Sequence, residues 1–351
     1  MSPEHSNIAG RPARIAMTPA CNIKCTYCEG TAGFKAGKPG AMEDFRKEGL
    51  ETGIISTDTL VTIIDTLHQV GFKGVTLTGG EPTLNSNWDF IVEESARLGM
   101  EKVEMTTNGT TMKRYMDKKG KLPSGLSLVK VSLDTPDPVL FKQIRGGANL
   151  PDIIDGIKEI NQSVKIRANR VILRSDLDKL DGYFDFIRDL GFKEVLLLDL
   201  VFHPNRDSQK DAAFFEKEYI KMDDLMESLG KTHGMVFTGD RYGHQTQYGD
   251  LRIILKDSNL TLRNDMCEAC PVYCQEGLYT MRIATDGNIT LCPDFKGELP
   301  SVNAKESIKD GTLKTKLAEL VDVLETAHEE ETLAKFMQKH SLNLIKTVEN
   351  V

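Results

Sequence analysis

The 351-residue chain has no apolar run approaching the eighteen or more residues that a membrane span requires. Its opening residues, Met1-Ser2-Pro3-Glu4-His5, are polar and lack the apolar core of a secretory signal, so export by that route is not expected. A basic excess is also missing: the net charge of −8 argues against a nucleic-acid groove as the main partner. Nor is there a disulfide framework. The seven cysteines are odd in number and fall into groups of three and four, a pattern of ligand sets rather than bridges. A reducing, cytoplasmic compartment without membrane or nucleic-acid partners is therefore expected. Hydrophobic content of 40% and charged content of 27% are ordinary for a globular chain, here long enough for one large domain and a smaller one.

What is present is concentrated in Cys21-Asn22-Ile23-Lys24-Cys25-Thr26-Tyr27-Cys28, directly after the apolar strand pattern Arg14-Ile15-Ala16-Met17. Three thiolates at C-x3-C-x2-C spacing can hold three corners of an iron–sulfur cube and not the fourth. One iron is then left for a ligand that is not protein. The competing reading is a zinc knuckle or buried structural thiols. Zinc in a structural site takes four protein ligands, and the nearest histidine, His5, precedes the strand.

Strand-like and helix-like segments alternate from residue 13 to about 200, with strands expected at 13–17, 74–78, 102–106, 128–133, 166–173 and 194–200. Between them, Thr57–Val70 carries Leu60, Val61, Ile63, Ile64, Leu67 and Val70 on one broad face, with Ser56 or Thr57 as N-cap and Gly71 beyond the end. Pro151 is expected to open another helix, and 178–190 to form a third that Gly191 stops. Such serial β/α units imply a parallel sheet covered by helices, either doubly wound or a partial barrel. Function in both gathers at the C-terminal ends of the strands.

The second strand ends in Thr78-Gly79-Gly80-Glu81-Pro82, where two glycines admit a close ligand and the turn carbonyls with Glu81 offer acceptors to an ammonium group. The third ends in Thr106-Thr107-Asn108-Gly109 and the fourth in Ser132-Leu133-Asp134, which taken alone read as turn chemistry.

The cysteine loop followed by Gly79-Gly80-Glu81 resembles the radical S-adenosylmethionine (SAM) superfamily, and the strand ends resemble its branch of GTP cyclases from molybdenum-cofactor synthesis. The resemblance implies a (β/α)6 partial TIM barrel over residues 1–230, with a twitch-like hairpin and helix extension over 231–351. It implies that Cys21, Cys25 and Cys28 hold a [4Fe–4S] cluster whose open iron binds SAM, and that one electron cleaves SAM to a 5′-deoxyadenosyl radical. It further implies SAM contacts from Tyr27, Gly79, Gly80, Glu81, Ser132 and Asn169, and substrate contacts from Arg14, Thr106 and Arg167. An external electron donor of flavodoxin or ferredoxin type follows from the same likeness. Thr76 stands where the cyclase carries a nucleotide-contacting arginine, and the ending Val348-Glu349-Asn350-Val351 lacks its Gly-Gly tail, which counts against GTP itself. Strand alternation sets Arg170 and Arg174 on the face opposite Arg167, where structural ion pairing is expected.

Cys267, Cys270, Cys274 and Cys292 form the second group, with a hairpin expected around Asp286-Gly287. A four-cysteine zinc site fits this spacing. The resemblance to twitch and SPASM extensions implies an auxiliary [4Fe–4S] cluster instead, closed by all four thiolates. The long connection 29–55 is expected to be a lid rather than a plain surface loop, and 313–324 and 333–344 to be amphipathic helices. His203, His233 and His244 show no ligand spacing and are expected to be structural. The substrate expected is a small polar metabolite such as a nucleotide, sugar or natural-product intermediate, anionic if the arginines face it. A maturase of ribosomal peptides is the alternative, weakened by the dozen or so residues before the first strand, too few for a leader-binding domain there.

Overall fold

The computed structural model describes residues 10–28, 54–201, 209–240, 243–257, 278–292 and 299–329. The chain divides into two compact units, Met1–Ile166 with Thr280–Thr326, and Arg167–Tyr279 with Ala327–Val351. β10 (Arg282–Ile283) lies parallel to β1 (Ala13–Ala16), with Arg14 opposite Arg282, so a segment expected in the C-terminal extension is paired into the first sheet.

In the first unit β1, β2 (Gly74–Thr78), β3 (Lys102–Thr107) and β4 (Leu126–Ser132) run parallel in chain order. Beyond β10 the sheet continues antiparallel through β11 (Asn288–Thr290) and β12 (Val302–Asn303). The expected hairpin is present, turned by Gly287 at φ 89° with Ala284 N donating to Asn288 O at 2.8 Å. Alternation sorts the side chains by face: Val75, Leu77, Val103, Met105, Val129 and Val131 are buried on one side, while Arg14, Thr76, Glu104 and Lys130 take the other.

The helices form where caps and stripes dictate. α1 (Thr57–Gln69) begins at Ser56, whose Oγ accepts from Thr59 N at 3.1 Å, and it buries Leu60, Ile63, Ile64 and Leu67. Each of those fully buried side chains contributes about 1.5–3 kcal/mol. α2 (Trp88–Arg97) and α3 (Met112–Lys119) follow β2 and β3; α4 (Pro138–Ile144) and α5 (Leu150–Ile160) follow β4. Pro151 occupies the second helical position, since Asn149 is the cap and Leu150 comes first. α9 (Ala304–Lys309) and α10 (Leu313–Glu329) complete this part, the latter burying Leu313, Leu317, Leu320 and Leu324 as expected.

The second unit carries most of β5 (Lys165–Val171), parallel to β6 (Glu194–Leu198), which is parallel to β9 (Leu251–Lys256). β8 (Gly243–Tyr248) and β7 (Thr238–Asp240) then pair antiparallel, and α6 (Leu180–Asp189), α7 (Gln209–Glu218) and α8 (Met222–His233) complete the unit. The α/β class with parallel strands alternating with helices is thus the one expected. No helix among the described residues is long and apolar enough to cross a membrane.

Candidate active site

The site is built where β1 and β2 end side by side. Met17 N donates to Thr78 O, Gly80 N to Thr18 O and Glu81 N to Ala20 O, each at 2.8 Å, so the two chain ends are tied together up to the first cysteine. Only glycines permit this approach: a Cβ on Gly79 would stand 2.5 Å from Thr18 O, and one on Gly80 2.1 Å from Ala20 O. Asn85 Nδ2 adds a bond to Met17 O at 2.9 Å.

Glu81 is fully buried. Oε1 accepts from Thr83 Oγ1 at 2.6 Å, Thr107 Oγ1 at 2.7 Å and Thr83 N at 3.3 Å, and Oε2 from Asn108 N at 2.7 Å. Burial pushes its pKa up, against the pull of those donors. These bonds make the carboxylate a brace between the ends of β2 and β3.

Buried Ile23 pins the cysteine loop, leaving Cys21 and Cys25 half-buried and Cys28 exposed. Asn108 Nδ2 donates to Asn22 Oδ1 at 2.9 Å and points at Cys21 Sγ at 3.8 Å, while Asn22 Nδ2 donates to Thr110 Oγ1 at 2.8 Å. The loop's other flank rests on the end of α4: Thr26 N donates to Ile144 O at 2.9 Å. Gly146, at φ 57°, presses so closely that a Cβ would stand 2.1 Å from Lys24 O.

Between Ile144 and Gly146 lies Arg145, a residue that sequence reasoning passed over. It is buried, with Nη1 donating to Cys25 Sγ at 3.3 Å and Nε to Asp134 Oδ2. Its Cζ stands 5.7 Å from the centre of the Tyr27 ring, and Tyr27 Oη donates to the same Asp134 oxygen at 2.8 Å. Burial pulls the guanidinium's pKa down, but Asp134 holds it well above its ordinary value, so the cation persists. Burial pushes the free Cys25 thiol up to about 11 against the pull of Arg145, and pushes the Cys21 thiol and the Tyr27 phenol upward as well. The available signal for Arg145 was the Gly146-Gly147 pair that follows it, both at positive φ, marking a backbone under close approach.

Three thiols on one loop, two of them met by N–H donors, fit a thiolate-bound cluster. Each thiolate of a cube binds its own iron, so such ligands stand further apart than those around a single ion. Among the described residues no three His, Cys, Asp or Glu side chains converge on one ion.

On the polar face of the first sheet, Thr76 Oγ1 donates to Glu104 Oε2 at 3.2 Å, and Lys130 pairs with Glu104 while approaching Thr76 Oγ1 at 3.4 Å. Thr106 and Ser132 are half-buried two residues further along β3 and β4, on the same face and nearer the cysteine loop. Arg14 is half-buried on that face, in register with Thr76. Cys292 follows β11, which runs antiparallel to β10; it therefore lies towards the N-terminal ends of the parallel strands, opposite Cys21, Cys25 and Cys28. By register the two ends are about four residues apart along the sheet, or ~13 Å. Cys267, Cys270, Cys274, His203, the connection 29–53 and the helix expected at 333–344 lie outside the described residues.

In the second unit Arg167 and Asn169 share one face of β5, with Arg167 Nε donating to Asn169 Oδ1 at 3.3 Å. Arg170 takes the opposite face, stacked 4.3 Å over the Tyr183 ring, and Arg174 donates to Tyr219 O at 2.8 and 3.2 Å. Arg170 thus takes the face that alternation implied, whereas Arg174 lies beyond the strand, in the 3-10 turn Arg174–Lys179, where alternation does not apply. His233 packs edge-on to Phe184 and Tyr248, and His244 faces Asp257 at 3.5 Å.

A family model described as the radical SAM superfamily matches residues 15–187. A GTP 3',8-cyclase of Limosilactobacillus fermentum is 29% identical over 310 residues, spanning 85% of this chain and 82% of its own. A probable GTP 3',8-cyclase of Methanococcus maripaludis is 28% identical over 230 residues, spanning 65% of this chain and 69% of its own. Among solved structures, Streptococcus suis SuiB bound to S-adenosylmethionine is similar with a TM-score of 0.55 and 16% identity, over 88% of this chain and 68% of that one. That last likeness is one of fold.

Proposed function

Since the chain carries a radical SAM domain over residues 15–187 and is a radical SAM enzyme, we propose that Cys21, Cys25 and Cys28 hold its [4Fe–4S] cluster and that the neighbouring Gly79-Gly80 turn receives SAM. When bound, the cluster supplies one electron from an external reductant and SAM is cleaved to a 5′-deoxyadenosyl radical, which takes a hydrogen atom from substrate. The single observation that carries this reading is the tie between the two elements: Gly80 N to Thr18 O and Glu81 N to Ala20 O, each at 2.8 Å, fix the turn against the start of the cysteine loop.

The protein's part is placement and exclusion of water. The turn carbonyls accept from the ammonium of SAM, Glu81 holds the turn's shape, and Ser132 and Tyr27 line the adenosyl side. Asn169 is a further SAM candidate and Arg167 a substrate candidate on sequence grounds. Substrate lies along the polar face, with Thr106 near the radical and Arg14 offering a cation to an anionic group. The cyclase relatives support a nucleotide-like metabolite. GTP itself is disfavoured, because Thr76, bonded to Glu104, occupies the position where the cyclase resemblance calls for an arginine. Cys267, Cys270, Cys274 and Cys292 hold a second [4Fe–4S] cluster in a twitch-like extension, and the place of Cys292 at the far end of the strands is in keeping with it.

The test is anaerobic reconstitution with iron and sulfide, followed by dithionite and SAM. 5′-Deoxyadenosine should form, Cys25→Ala should abolish it, and Cys292→Ala should leave it. A fully loaded wild-type protein that releases none would sink the reading.

A further inference from the structure

We infer that Arg145 sets the reduction potential of the cluster at Cys21, Cys25 and Cys28, as a positioning residue that acts through the Cys25 thiolate. The inference rests on the cluster assignment above and deepens it. Three observations carry it. Arg145 is 5% exposed, and its Nη1 donates to Cys25 Sγ at 3.3 Å, so a permanent cation is hydrogen-bonded to a ligand sulfur away from solvent. It has no freedom to leave: Nε is held by Asp134, 1% exposed, and the Tyr27 ring backs the guanidinium at 5.7 Å. The backbone on either side is clamped to the same loop, through Thr26 N to Ile144 O at 2.9 Å and the close seat of Gly146 on Lys24 O.

Hydrogen bonds to the sulfurs, net charge and burial are what set iron–sulfur potentials. Reduction adds one electron, from the external donor, to the cluster and its thiolates. An N–H⋯S bond from a cation stabilises that more negative state over the oxidised one, so Arg145 raises the potential. Asp134 works against it. Its charge partly neutralises the guanidinium, and only Oδ2 is engaged, by both Arg145 and Tyr27, while Oδ1 has no partner among the described residues. The pair therefore holds a cation at a fixed distance from the sulfur with its field partly cancelled.

Two substitutions should move the potential in opposite directions. Arg145→Gln keeps a neutral donor of shorter reach and should lower the equilibrium constant for reduction about tenfold, which is ~59 mV for one electron. Asp134→Asn keeps an acceptor for Tyr27 but removes the counter-charge, and should raise the potential. The measurement is an anaerobic redox titration of the full-length reconstituted protein followed by EPR, using the signal that changes when SAM is added, with iron counted in parallel. A wild-type protein with no SAM-sensitive signal would fail the cluster assignment itself. A normal wild-type signal, with both variants loaded and unshifted or both shifted the same way, would overturn the role of Arg145 alone. If Arg145→Gln does not load iron, the rise expected in Asp134→Asn still decides: no rise refutes it.

Discussion

Replacing Gly80 by alanine tests the joint between turn and cysteine loop with a single methyl group. An added Cβ would meet Ala20 O at 2.1 Å, Ala20 C at 2.5 Å and Pro19 O at 2.8 Å, all backbone atoms that cannot rotate away. Relief to an ordinary contact of about 3.4 Å requires the two segments to part by roughly 1 Å. That movement strains or breaks Gly80 N–Thr18 O and Glu81 N–Ala20 O. Two such bonds are worth about 1–3 kcal/mol together, and overpacking adds a further 1–3 kcal/mol. A displacement near 1 Å at a reacting site can also cost ~100-fold in rate. Gly182→Ala is the control: it lies inside α6 with nothing within 4 Å of its added Cβ, and should be neutral or stabilising by up to about 1 kcal/mol. The assay is the anaerobic rate of 5′-deoxyadenosine formation beside thermal melting of each protein. Gly80→Ala with wild-type rate and melting temperature would refute the argument that this contact fixes the loop.

Other outcomes follow from the same structure. Gly146→Ala should disturb the loop from its other flank, since φ is 57° and the Cβ would meet Lys24 O at 2.1 Å; a fall in iron retained after gel filtration is the readout. Lys130→Met leaves Glu104 14% exposed without its ammonium and should destabilise by about 2–4 kcal/mol in urea melts, with Glu104→Gln added to it recovering a good part. Burial works to raise the pKa of Glu218, but hydrogen bonds from Ser175 outweigh it and leave the carboxyl lowered. Its stabilisation should therefore be full above the unfolded pKa of about 4.3 and be lost as pH falls through the folded value. Glu218→Gln should flatten that part of the melting curve against pH. Metal analysis should give about eight irons per reconstituted chain, and about four after removal of Cys267 and Cys270.

Much of this was legible because it is local. The cysteine loop, Gly79-Gly80, the Ser56 cap and the Asp286-Gly287 turn all act within a few residues, where spacing carries the information. The expected strands differ from the observed ones only at their ends, as with 128–133 against Leu126–Ser132. What escaped depends on distant partners. Arg145 meets Cys25 from 120 residues away, and Glu81 spends its carboxylate on Thr107 and Asn108, 26 and 27 residues on. No periodicity encodes such meetings. Thr76, Glu104 and Lys130 stand between these cases: alternation places each on the polar face, but the pairing of β2, β3 and β4 was needed to bring them together. The pairing of β10 with β1 escaped for a similar reason, because a two-residue strand, Arg282–Ile283, carries too little pattern to announce it.

The central claim is that the three-cysteine loop leaves one iron open and that SAM fills it. Electron–nuclear double resonance on the dithionite-reduced protein, with SAM labelled at its amino nitrogen and carboxylate oxygens, tests this most directly. The account predicts hyperfine coupling from both labels in the wild type and in Cys292→Ala, and none in Cys25→Ala. A reduced, fully loaded cluster that shows no coupling to either label would contradict it.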